Sequence, residues 1–161
     1  PSIVKGLTHS DDTTVGFISA VPFVVGAITM VAIGAHSDGA SRRRWHVAAC
    51  AIVGAIGMAS LAASTGAAAG IAALCLAAIG IFGALGPFWA IPTRYLRGAA
   101  AAGGIAVINS TGALSGFVAP YAIGWAKDAT GSFAAGLLVV AASLALGSAL
   151  VLCVPASADV N

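Results

Sequence analysis

The residues of this sequence that can do chemistry are few, and most of them gather in one short stretch. It reads Gly34-Ala35-His36-Ser37-Asp38-Gly39-Ala40-Ser41-Arg42-Arg43-Arg44-Trp45-His46. A carboxylate beside guanidinium groups can pair with Arg42 or Arg43, or face the positive N-terminus of a neighbouring helix. Such contacts can hold one end of a helical bundle closed and break when it opens. The simpler alternative is that Ser37, Asp38 or Ser41 only caps the next helix, while the arginines set orientation. His36 and His46 read as interfacial side chains rather than proton carriers.

A second polar point is Asn109, with Ser110 and Thr111 after it, inside a long apolar stretch. An amide deep in an apolar helix needs a partner, either a substrate or another helix. Gly112, Gly116 and Pro120 follow at intervals of four, which puts them on the face of Asn109 and suits close helix packing. Pro87 and Pro92 bracket Phe88 and Trp89. Proline removes an intrahelical hydrogen bond, so this helix bends, either as part of a gate or as a static kink. Within the apolar spans there is no HExxH, no Gly-x-Ser-x-Gly and no pair of carboxylates, so no enzyme is read. Cys50, Cys75 and Cys153 share no CxxC or Cys/His spacing. They read as packing residues, and no metal or other cofactor is expected.

The elements that position these groups follow from composition. Of 161 residues, 60% are hydrophobic and 7% are charged, and the mean hydropathy is +1.03. A soluble domain carries about a quarter charged residues, so the surroundings are a lipid bilayer. No acid or base occurs in the 23 residues from Thr13, the 47 from Val47, the 29 from Gly98 or the 30 from Ala129. A helical crossing takes roughly 20 apolar residues. The 47-residue stretch is broken at Ser64-Thr65-Gly66 and makes two crossings. The expectation is an all-α polytopic membrane helix bundle, a single membrane domain over 1–161, with five spans near 14–35, 46–64, 67–93, 99–126 and 131–154. Short loops make successive helices antiparallel. The runs are continuous rather than alternating, which excludes a barrel.

Five crossings put Arg42, Arg43, Arg44, Arg94 and Arg97 on one side and only Lys5 and Lys127 on the other. The positive-inside rule makes the first side, and the C-terminus, cytoplasmic. Trp45 and Tyr95 anchor that side, and Trp125 the opposite one. Topology accounts for the basic cluster, so no nucleic-acid partner is expected. The chain opens at Pro1 without a secretory signal, and is expected to be a piece of a longer polypeptide.

The stretch Gly34 to His46 resembles the signature loop of the major facilitator superfamily, in the form found in its anion:cation symporter branch. Pro87-Phe88-Trp89-Ala90-Ile91-Pro92-Thr93 resembles that branch's tenth helix. Ala106 to Ser110, with Gly112, Gly116 and Pro120, resembles the eleventh, and Gly124 to Gly131 the turn into the twelfth. The similarity covers nearly the whole chain in order. It departs at Gly39, where the family has Arg, and at Ser41, where it has Gly.

The resemblance implies a partial C-terminal half, helices eight to twelve, of a secondary transporter in a bacterial inner membrane. Its cargo would be a small organic anion (a sugar acid, dicarboxylate or aromatic acid), moved by proton symport. Gly34, Asp38, Arg42 and Arg43 would form the gating loop, and Pro87, Phe88, Trp89 and Pro92 a kinked gate. Asn109 and Ser110 would touch substrate. No acid or base lies within a span, so the coupling carboxylates and anion-binding arginine would come from the missing N-terminal half. Alone, the chain is expected to transport nothing. The alternative is a stand-alone helical membrane protein, or a non-functional truncated relic, with a packing role.

Overall fold

A computed structural model describes residues 4–5, 11–39 and 42–155. Ser41, one of the capping candidates, lies outside them. Every regular element among the described residues is helical: α1 Asp12–Asp38, α2 Arg43–Ala63, α3 Ala67–Ala90, α4 Pro92–Tyr95, α5 Ala99–Thr130 and α6 Ala134–Leu152. Five segments are long and apolar enough to cross a membrane, with α3 and α4 together forming one of them, Ala67–Tyr95. The chain is an all-α, multi-pass membrane protein, because in lipid only a helix satisfies its own backbone polar groups within one segment.

Local chemistry sets the helix ends. Asp11 caps α1: its carboxylate accepts from the Thr14 N–H at 3.2 Å and the Thr14 hydroxyl at 2.6 Å. After Ala63 the chain turns extended at Ser64, whose hydroxyl donates to Leu61 O at 2.8 Å. α5 ends where Gly131 adopts φ +71°, a left-handed cap open to glycine, and its N–H returns to Lys127 O at 2.7 Å.

The third hydrophobic run differs from the single helix expected to residue 93. α3 stops at Ala90 and Pro92 starts the separate turn α4. Pro92 has no N–H to offer the Phe88 carbonyl. That carbonyl instead accepts from Ile91 N at 3.1 Å, a tighter bond three residues back. Hydropathy continues through this break, and the hydrogen-bond ladder does not.

α3 is the central helix. It packs on α2 and on α1, α2 packs in turn on α6, and α5 touches the bundle mainly through α6. α1 therefore lies beside α3, with little contact to its sequence neighbour α2. Missing side chains let α2 and α3 approach closely. A Cβ at Gly80 would run into the backbone of Gly54, and one at Gly57 into that of Ala77, so α2 and α3 meet backbone to backbone. Two small apolar clusters mark the ends of the bundle. Val47 and Ile91 gather Phe88, Val151 and Val154 at one end. Leu61, Ala73 and Leu137 gather Met58 and Phe133 at the other.

Candidate functional site

The charged loop lies at the end of the bundle where α1 passes into α2 and where α4 and the end of α6 also arrive. Asp38 and Arg43 form an ion pair, Nη2 to Oδ1 at 3.1 Å. Arg43 is 17% exposed and Asp38 71%. This is half a solvent-exposed pair, with a modest and salt-sensitive worth. Of the two guanidinium groups expected to meet Asp38, Arg43 does so. Arg42 stands at the head of α2, its side chain making no cap bond there. Its carbonyl meets His46 Nδ1 at 3.1 Å. The capping alternative is not realised by Ser37 or Asp38: Ser37 is buried and donates back to Gly34 O at 2.9 Å, and Asp38 turns to Arg43.

Gly34 has a packing position. A Cβ on Gly86 would stand 3.3 Å from Gly34 Cα, so the last turns of α1 lie close against α3. Pro87, the residue after Gly86, is fully buried. Phe88 packs on Val47 and Ile91 and meets Trp89 edge to face at 5.4 Å between centroids. Gly34, Pro87, Phe88, Trp89 and Pro92 thus share one end of the bundle with Asp38 and Arg43.

Two further groups tie that end together, in roles beyond the orienting charge of Arg44 and the interfacial anchor of Tyr95 read from sequence. Arg44 Nη1 donates to Val154 O at 2.9 Å, and the Tyr95 hydroxyl donates to Pro155 O at 3.3 Å. A guanidinium on the closing carbonyls of α6 suits the negative end of a helix dipole. The partners are backbone carbonyls, which leave no residue signature; the basic run 42–44 was the available hint. Deeper in the bundle, Ser148 donates to Ala48 O at 3.0 Å and links α6 to α2.

The polar face of α5 is separate from this end. Asn109, Ser110, Gly112, Gly116 and Pro120 are all exposed. Among the described residues neither Asn109 nor Ser110 has a side-chain hydrogen-bond partner. A Cβ at Gly112 or Gly116 would have nothing within 4 Å. Between α5 and α6 runs an apolar groove of about 570 Å³, lined in part by Thr111, Ser115 and Ser143. Each of those hydroxyls bonds a carbonyl of its own helix, so the groove offers little polarity.

No family model matches the chain, and no solved structure matches it. Curated proteins do. It is 43% identical over 161 residues, all of its length and 37% of the relative's, to the "Putative tartrate transporter" of Agrobacterium vitis. It is 35% identical over 147 residues to the "Quinolone resistance transporter" of Acinetobacter baumannii, with 91% of the chain and 34% of that protein covered. It is 38% identical over 146 residues to the "Inner membrane transport protein RhmT" of Escherichia coli K12, with 86% and 33% covered. The chain spans about a third of the length of the curated relatives it matches.

Proposed function

We propose that this chain, a major facilitator transporter sequence homologous along its length to about a third of several bacterial transporters, supplies five helices of a secondary carrier for a small organic anion. The observation that carries this reading is the match along all 161 residues to a protein named for tartrate. On this reading the membrane is the bacterial inner membrane and the arginine-rich end is cytoplasmic, in line with the charge distribution. The chain acts as part of a carrier, with no enzymatic role.

In the proposed carrier the Asp38–Arg43 pair and the Arg44 anchor hold the cytoplasmic end closed. Opening separates Asp38 from Arg43, whose exposed geometry makes the step inexpensive. The Pro87–Pro92 break lets the end of α3 tilt without unravelling the whole helix. Asn109 donates its amide N–H to a substrate carboxylate, with Ser110 beside it. Gly112, Gly116 and Pro120 receive a helix from the N-terminal half, which the open face of α5 is shaped to admit.

No acid or base stands in mid-span here. The carboxylate that carries a coupled proton, and the cation that neutralises an organic anion, therefore come from the other helices. The test is uptake of labelled tartrate and other small carboxylic acids by membranes holding the full native polypeptide, against membranes holding this chain alone. The proposal expects uptake in the first, driven by a proton gradient, and none in the second. Uptake by the chain alone would overturn the claim that the site needs the other helices, and uptake by neither would favour a stand-alone packing role or a different cargo.

A further inference from the structure

We propose that His36 and His46 form a site for a borderline divalent transition-metal ion such as Zn²⁺, bridging α1 and α2. The two rings come from different helices, ten residues apart across the charged loop. Their centroids lie 5.3 Å apart with the planes tilted by 60°. Two imidazoles bound to one tetrahedral ion at about 2.0–2.1 Å hold their centroids roughly 5 Å apart. The observed centroid spacing is compatible with both rings reaching one ion.

Tautomer chemistry supports the assignment. His46 Nδ1 is 3.1 Å from Arg42 O. A carbonyl can only accept, so Nδ1 carries the hydrogen. In the neutral ring Nε2 is then left with its lone pair. A backbone carbonyl on one ring nitrogen is how proteins orient a metal-binding imidazole and raise its basicity. Both rings also line one pocket of about 410 Å³ between α1, α2 and α3, with space for water to complete the coordination. Asp38 and Arg43 neutralise each other beside it, and the Arg44 guanidinium is directed to Val154 O.

The described residues hold no cluster of three or more His, Cys, Asp or Glu side chains placed for a metal. The site therefore has two protein ligands and is labile. It takes an ion when the metal is plentiful, and the ion then links α1 to α2 at the charged end. Nitrogen ligands select Zn²⁺, Ni²⁺ or Cu²⁺ over Mg²⁺ or Ca²⁺.

The experiment is equilibrium dialysis of the detergent-solubilised full chain with Zn²⁺ near neutral pH. His36→Gln, His46→Gln and the control His9→Gln are compared, each first checked for unchanged helicity. The expected result is one Zn²⁺ per chain. Either site variant should weaken binding by roughly 10- to 100-fold, the range that loss of even a supporting partner produces. His9→Gln should bind as wild type, and Mg²⁺ should not compete. Should His46→Gln lose its fold, His36→Gln alone decides, since His36 is exposed at the end of α1. A second readout is the melting temperature, which should rise with Zn²⁺ in wild type and not in the site variants. Zn²⁺ binding unchanged in the site variants, or no binding by wild type, would overturn the proposal.

Discussion

Arg44 reaches across 110 residues of sequence to donate to the Val154 carbonyl at 2.9 Å. That bond fixes the end of α6 against the start of α2, beside the loop where Asp38 meets Arg43. Replacing Arg44 with Ala should destabilise the chain by about 1.5–3 kcal/mol, the scale of a hydrogen bond from a charged group. Limited proteolysis should show it as earlier cutting near Pro155. Lys at 44 should recover part of the loss.

The Asp38–Arg43 pair should show a coupling of about 0.2–1 kcal/mol in a double-mutant cycle of Asp38→Asn and Arg43→Gln. Because Asp38 is largely exposed, the coupling should shrink as salt is raised. Thermal unfolding in detergent at low and high ionic strength measures both.

Glycines that look alike in sequence should behave in opposite ways. Gly80→Ala forces a methyl into the backbone of Gly54 and should cost about 1–3 kcal/mol, the range for overpacking. Gly112→Ala meets nothing within 4 Å and should leave this chain's melting temperature unchanged or slightly raised, because alanine favours a helix over glycine. In the full carrier proposed here, the same Gly112→Ala should impair helix docking and transport.

Asp11 gives a pH dependence with a defined sign. Its two bonds from Thr14 lower its carboxyl pKa below the ordinary 3.8. A group whose folded pKa is depressed stabilises the fold above its unfolded pKa. The benefit is lost as pH falls through the lower folded value. The start of α1 should therefore stay capped through the ordinary carboxylate value of 3.8 and loosen only below it. The Thr14 amide shift followed by NMR titration checks this, and Asp11→Ala should flatten the curve.

Much of the architecture was legible because membranes punish charge. The charge-free runs disclosed five helical segments long and apolar enough to cross a membrane, and Ser64-Thr65-Gly66 disclosed the break between α2 and α3. Asp38 with a neighbouring arginine was also readable, since opposite charges five residues apart at a helix junction seek each other. The stop at Ala90 was not, because hydropathy carries no record of which carbonyl loses its donor to Pro92. Nor was the seating of α1 on α3, which depends on bare backbone at positions such as Gly83 and Gly86. A Cβ at Gly83 would stand 2.8 Å from Ile33 Cδ1, and that fit exists only between two helices. The sequence placed Asn109 and Gly112 on one face, and the fold leaves that face uncovered by any helix among the described residues.

The central claim is that this chain forms part of an organic-anion carrier in which Asn109 bonds the cargo. Its most direct test is the initial rate of tartrate uptake by cells carrying Asn109→Ala in the native polypeptide, at matched membrane levels. Losing a hydrogen bond to a charged carboxylate should lower uptake at sub-saturating substrate by roughly 10- to 100-fold, with Asn109→Gln retaining part of it. Uptake equal to wild type in Asn109→Ala would contradict the account, and would return Asn109 to a residue that holds helices together.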